Sequence, residues 1–296
     1  MTIAISSDLG PSFAAGSAES HKPSSHRAAN GQYWDHFFAE RVWWQMAIVL
    51  LAGIPVVLLA LAIDPRLHND VSIWIKPLKF QVSMALHLIT LALLVRMFSE
   101  KTRRSRWIAA LAVSSSFAAL VEITLIGGQA ARGVGSHFNT DAPMDNIIYA
   151  IMGVGSLILI LPALIIGIRF LASKSTDRMP STMKLAAGSS LLLSFVFTLT
   201  MAGYMSMQGG HWVEAPTTDA NGLPVVGWTR QGGDLRVAHF FATHIMQVVP
   251  IAGWLAVHRL RWRQSRATLL VGTTAVLMSA LALGTFVQAL KGQAFI

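Results

Sequence analysis

The sequence predicts an all-α fold, a polytopic membrane bundle of seven transmembrane helices with the amino terminus in the cytoplasm and the carboxyl terminus outside. Three observations lead there. The first is composition: 53% of the 296 residues are hydrophobic and 12% are charged, against roughly 25% charged in soluble domains. Mean hydropathy is +0.54. So little polar surface cannot cover a soluble particle of this size, and lipid is the natural solvent. The second is a set of seven apolar stretches, each near the roughly 20 residues needed to cross about 30 Å of hydrocarbon. The third is that basic residues gather in every other connection.

Taken in chain order, residues 1–42 form a cytoplasmic tail. Its first 30 or so residues are rich in Ser, Ala and Gly and lack an apolar core segment. They read as disordered and not as a cleaved leader. The spans are expected at about 43–63, 72–96, 107–127, 146–170, 184–207, 236–258 and 267–290. Pro55, Pro77, Pro162 and Pro250 fall inside them, where proline is better tolerated than in soluble helices. Two long connections, 128–145 and 208–235, are expected to cap the bundle as outer loops.

Charge orients the bundle. Arg96, Lys101, Arg103, Arg104 and Arg106 lie in one connection, Arg169, Lys174, Arg178 and Lys184 in another, and Arg259, Arg261, Arg263 and Arg266 in a third. Only Glu100 and Asp177 oppose these thirteen cations. The alternate connections and the carboxyl end hold just Arg66, Arg132, Arg230, Arg236 and Lys291, with seven acids: Asp64, Asp70, Asp141, Asp145, Glu214, Asp219 and Asp234. The positive-inside rule then places the tail in the cytoplasm and Lys291 outside. Trp43, Trp44, Trp107 and Trp262 fall at expected inner ends and Trp74 at an outer end, the pattern of an aromatic belt. A plasma membrane is expected, the bacterial inner membrane in particular; the chain has no N-x-[ST] sequon.

Several functions are disfavoured. The chain has no cysteine, which removes disulfides, thiolate metal sites, iron–sulfur clusters and covalent haem attachment. A net charge of +9 reads as orientation signal, since no nucleic-acid-binding motif accompanies it. Microbial rhodopsins also have seven helices, but with the opposite orientation and a retinal-bearing lysine in mid-span. The single lysine of span seven here, Lys291, lies past its end. No nucleophile elbow and no H-E-x-x-H occurs.

Three charges lie inside spans: Lys76, Lys79 and Glu122. Each costs about 2.5–3.5 kcal/mol on insertion scales, so each should face protein or water and have a partner. Lys79 and Glu122, both about 8–9 Å below the outer ends of their spans, are expected to pair. Lys76, Lys79, Ser83, His87 and Thr90 share one face of span two; Arg236, His239, Thr243 and Gln247 share one face of span six, with His244 to its side. Glu122 and Gln129 share a face of span three, and Gln288 closes the outer end of span seven. These stripes should face one another around an outer cavity. The loops above supply Arg132, His137, His211 and Asp234.

Counting Lys76, Lys79, Arg132 and Arg236 against Glu122 and Asp234, the rim is net positive, and an anionic small molecule is the natural guest. Haem b or a His-ligated metal for redox work is the other occupant weighed, with His87, His239, His244 and His211 as ligand candidates. Met201, Met205, Met207 and His211 form a thioether-rich run that would suit Cu(I). The alternatives are a transporter, channel or sensor, an outer-leaflet enzyme using His137, His211, His239 and Glu122 as acid and base, or a structural subunit in which the charges only pack.

Overall fold

The computed structural model describes residues 37–174 and 179–296. Most of the expected tail lies outside the described residues, as do Asp177 and Arg178. Among the described residues seven helices are long and apolar enough to cross a membrane. Their outward surfaces are apolar: Val56, Leu269 and Val276 are each more than half exposed. Helices α1 (Phe38–Ala52) and α2 (Ile54–Ile63) make the first. The hairpin of β1 (Leu67–His68) and β2 (Val71–Ser72) leads to α3 (Ile75–Val95), and the short α4 (Glu100–Arg103) follows. Then come α5 (Arg106–Arg132), α6 (Pro143–Ala172) and α7 (Ser181–Met207). Strands β3 (Trp212–Val213) and β4 (Gly233–Asp234) pair antiparallel before α8 (Leu235–Trp254), which runs into a π-helical turn, Leu255–Arg259. Helix α9 (Gln264–Leu290) ends the bundle.

Local chemistry explains the breaks. The first segment is interrupted at Gly53 because Pro55 follows in the first turn of α2, where its missing N–H costs nothing. The Gln81 side chain fills the space beside Gly53, so a Cβ there would stand 2.6 Å from Gln81 Nε2. Pro77 likewise sits in the first turn of α3, not in its interior. Helix α5 runs past its expected end near 127 to Arg132, where Gly133 adopts the left-handed conformation (φ 75°) that terminates it. Helix α6 opens on Pro143, whose fixed φ suits a first helical position. The connection between them is therefore shorter than the expected 128–145, and Gln129, Arg132 and Asp145 stand on helices.

The main core joins α1, α3, α5, α6 and α7 through residues such as Trp43, Leu88, Leu91, Ile108, Ile166 and Leu191, all fully buried. Trp43 Nε1 donates to Ser115 Oγ at 2.9 Å. Smaller clusters join α7, α8 and α9. Where the basic connections lie, the buried Glu40 carboxylate accepts from Arg103 Nε at 2.6 Å and stands 3.8 Å from Arg96.

The long connections meet at the opposite end. Asp219 N–H donates to Asn69 O at 3.0 Å, Thr218 Oγ1 to Asp70 Oδ2 at 2.5 Å, and Arg66 Nη1 to Ala131 O at 3.0 Å. In the 208–234 loop Glu214, Asn221 and Val225 all have positive φ, and Val225, 92% exposed at φ 69°, is the β-branched one. A β-branched side chain is poorly tolerated there. Val225→Gly is expected to stabilise the fold by up to about 1 kcal/mol, read as a higher unfolding midpoint and slower proteolysis within the loop.

Candidate functional site

Long polar side chains reach between α3 and α8, and the Gln247–Thr90 hydrogen bond joins the two helices. The seam starts at the long-loop end with Asp234, whose side chain is fully buried. As N-cap of α8, its Oδ1 accepts from Arg236 N–H at 3.0 Å and from Arg236 Nε at 2.9 Å. Its Oδ2 accepts from Thr229 N–H at 3.0 Å and from Arg236 Nη2 at 2.6 Å. Arg236 also pairs with Asp219 at 2.7 Å and donates to Gly227 O at 2.8 Å. Gly227 itself has φ 69°, a conformation that suits glycine. Residues 227–234 thus form a loop around one guanidinium.

Lys79 does not pair with Glu122. Its ammonium rises to the loop and donates to Val226 O at 2.8 Å. Glu122 instead points from α5 into α6, where Ser156 Oγ donates to its Oε1 at 3.2 Å. Gly155 makes this approach possible, since a Cβ there would stand 2.8 Å from Oε1. Glu122 Oε2 is buried with no hydrogen-bond partner. The lysine whose charge reaches Glu122 is Lys76, which lies 5.9 Å from the centroid of the Phe80 ring. His137 packs on Phe80 at 5.3 Å and on Tyr149 at 6.3 Å between ring centroids. The charges of Lys76 and His239 both act on it. His239 Nδ1 is buried and unpartnered. His137, on the 133–142 loop, thus lies within electrostatic reach of Lys76 and His239, and Glu122 within reach of Lys76.

Deeper in the bundle, Gln247 Nε2 donates to Thr90 Oγ1 at 3.1 Å, joining α8 to α3. His87 Nε2 meets Leu159 O at 3.1 Å. A carbonyl only accepts, so this nitrogen carries the proton.

Other expected site residues serve elsewhere. Gln129 Nε2 and Arg132 Nη1 both donate to Asp145 Oδ1, at 2.9 and 2.6 Å, and Arg132 also donates to Gln129 Oε1. This group pins the loop that carries His137. Gln288 Nε2 donates to Ala294 O at 2.6 Å and closes the carboxyl end of α9. Thr243 Oγ1 and His244 Nδ1 turn back to Phe240 O within their own helix, at 2.9 and 2.7 Å.

His87, His239, His244 and His211 are the histidines weighed from sequence as haem or metal ligands. Two of the four histidines spend a ring nitrogen on a backbone carbonyl, and among the described residues no three His, Asp or Glu side chains are placed to hold a metal ion. The thioether run is scattered too. Met201 and Met205 lie in separate apolar clusters and Met207 is 88% exposed.

The charge count also changes. The arginines of the rim are matched by Asp145 and Asp219, which the sequence count left out, so four cations face four acids. Asp219 sits in the loop at a distance from span six that sequence does not reveal, yet the fold returns it to Arg236. Burial alone would raise the Asp219 carboxyl, but His211 and Arg236 outweigh it and hold it below the usual range. At the hairpin, hydrogen bonds from Arg66 and then Trp74 hold the Asp64 carboxyl far below that range.

His137 is held well below its ordinary value of 6.5 by burial first, then by Lys76 and His239. Burial also lowers His211. Unfolded, both titrate near 6.5. Below that pH the unfolded chain binds protons that the folded one refuses, so stability falls with pH until the folded value is reached. The slope is at most about 1.4 kcal/mol per pH unit for each histidine. Thermal unfolding in detergent is expected to show a midpoint that drops from pH 7 to pH 5, with a shallower drop in His137→Asn.

No protein-family model matches this chain, and neither a curated protein nor a solved structure matches it.

Proposed function

We propose that this is an integral membrane protein, oriented with the long loops outside, that binds a small anionic molecule between α3 and α8. Lys76 and Lys79 are the contacts for the anion. One observation carries this reading. Arg66, Arg132 and Arg236 each have an aspartate partner, whereas Lys76 and Lys79 have no carboxylate in salt-bridge range among the described residues. A half-buried ammonium with no carboxylate in salt-bridge range favours a guest that brings one. Glu122 and His137 stand within electrostatic reach of Lys76 as proton-exchanging groups, and the unpartnered Glu122 Oε2 and His239 Nδ1 are available to hydrogen-bond a guest or its water.

A transporter is the second reading, favoured by the inward continuation of the seam. Gln247 lies about 18 Å along α8 from Leu235 by helix rise, and its Oε1 is buried without a partner. The test is a panel of phosphate, sulfate, acetate, succinate and citrate against the purified protein, read as thermal shift and followed by uptake into proteoliposomes. At 100 times Kd a bound anion adds about 2.7 kcal/mol. A panel with no concentration-dependent shift rejects the anion site; a shift without uptake rejects transport alone.

A further inference from the structure

At the other end of the bundle a cleft of about 500 Å³ is lined by Arg261, Trp262, Arg263, Ser265 and Arg266. The backbone there is specially shaped. The π-helical turn is closed by Leu260 N–H to Leu255 O at 2.8 Å, Trp262 N–H bonds Ala256 O at 2.9 Å, and Arg261 adopts φ 51°. Among the described residues none of the three cleft arginines has an acidic partner, unlike Arg66, Arg132 and Arg236 at the long-loop end. Arg261 and Arg263 on the turn and Arg266 in the first turn of α9 bring three exposed guanidiniums to one cleft, where a single anion can join them. The surface beside them is apolar: Trp254, Leu260 and Leu269 are 50%, 52% and 70% exposed. A free phosphate would need only the arginines, whereas a phospholipid needs both surfaces.

We propose that this cleft binds the phosphate headgroup of an anionic phospholipid, with Arg261, Arg263 and Arg266 as donors, Trp262 at the interface, and acyl chains lying along the exposed apolar face of α8 and α9. Guanidinium is suited to forked contact with phosphate oxygens, and each basic residue near a membrane surface adds to the preference for anionic lipid.

The test is native mass spectrometry of the full chain offered phosphatidylglycerol and phosphatidylcholine together. The wild type is expected to retain phosphatidylglycerol in preference by on the order of tenfold to a hundredfold. R261Q/R263Q/R266Q is expected to lose the preference. K101Q/R104Q/R106Q, which removes as many cations from another basic connection, is expected to keep it. R261K/R263K/R266K preserves charge, and with it the topology signal, but lacks the fork; its preference is expected to fall about tenfold. Equal retention of the two lipids, an unchanged preference in the lysine variant, equal losses in both glutamine variants, or displacement of the lipid by excess inorganic phosphate would each overturn the proposal.

Discussion

Asp234→Ala is expected to destabilise the protein by about 3–5 kcal/mol, the range for breaking a buried ion pair from one side. The Asp234 side chain is inaccessible, and its two oxygens accept from two backbone amides and a guanidinium. Alanine removes the N-cap of α8, worth about 0.5–2 kcal/mol alone. It also strands Thr229 N–H and leaves Arg236, three-quarters buried, with Asp219 as its one acidic partner. Asp234→Asn keeps an acceptor for the cap and is expected to lose less, about 1–3 kcal/mol. Because part of the penalty comes from a buried guanidinium left one carboxylate short, Asp234→Ala/Arg236→Met should be more stable than Asp234→Ala. Equilibrium unfolding in mixed micelles measures all three. A single alanine variant within 1 kcal/mol of wild type would show that the loop is held some other way. Proteolysis between residues 208 and 234 should accelerate in the same order.

Much of the helical plan was legible because hydrophobic length is a local property. Each of the seven segments announces itself within about 20 residues. Helix ends were less legible: α5 continues to Arg132 because the terminating signal is the left-handed Gly133, a backbone conformation that hydropathy does not register. Side-chain partners were the least legible. Depth below the membrane surface placed Lys79 and Glu122 at the same level, and that gave a sound reason to pair them. Depth does not specify rotation about the helix axis, and rotation sends Glu122 toward Gly155 and Ser156 while Lys79 reaches the loop. Helical periodicity put Thr90 and Gln247 on polar faces of spans two and six, and a hydrogen bond joins those two residues. The same periodicity could not bring in Asp219, whose place depends on a loop closing back on Asn69. Nor could it show that His87 and His244 spend a ring nitrogen on backbone carbonyls, which is what separates a helix-tying histidine from a free ligand.

The lysines offer the sharpest division between structure and binding. Lys76→Gln and Lys79→Gln are each expected to weaken the bound anion by about tenfold to a hundredfold, the worth of one charge-assisted hydrogen bond. Their effects on the empty protein should differ. Lys79 ties α3 to the Val226 carbonyl, so its loss should loosen the 208–234 loop and lower the unfolding midpoint as well. Lys76 has no hydrogen bond to a described residue and rests against Phe80. Removing its charge relieves a desolvation cost, so Lys76→Gln should unfold at or above the wild-type temperature while losing the anion-induced shift. Glu122→Gln completes the set. It keeps the shape beside Gly155 but removes a negative charge close to the anion, so affinity should hold or tighten. A structural role for these charges predicts the reverse pattern, with Lys76→Gln and Glu122→Gln both unstable and neither changing an anion isotherm. Titration calorimetry and thermal unfolding on the same four proteins separate the two, because only a binding site lets affinity collapse while stability is kept.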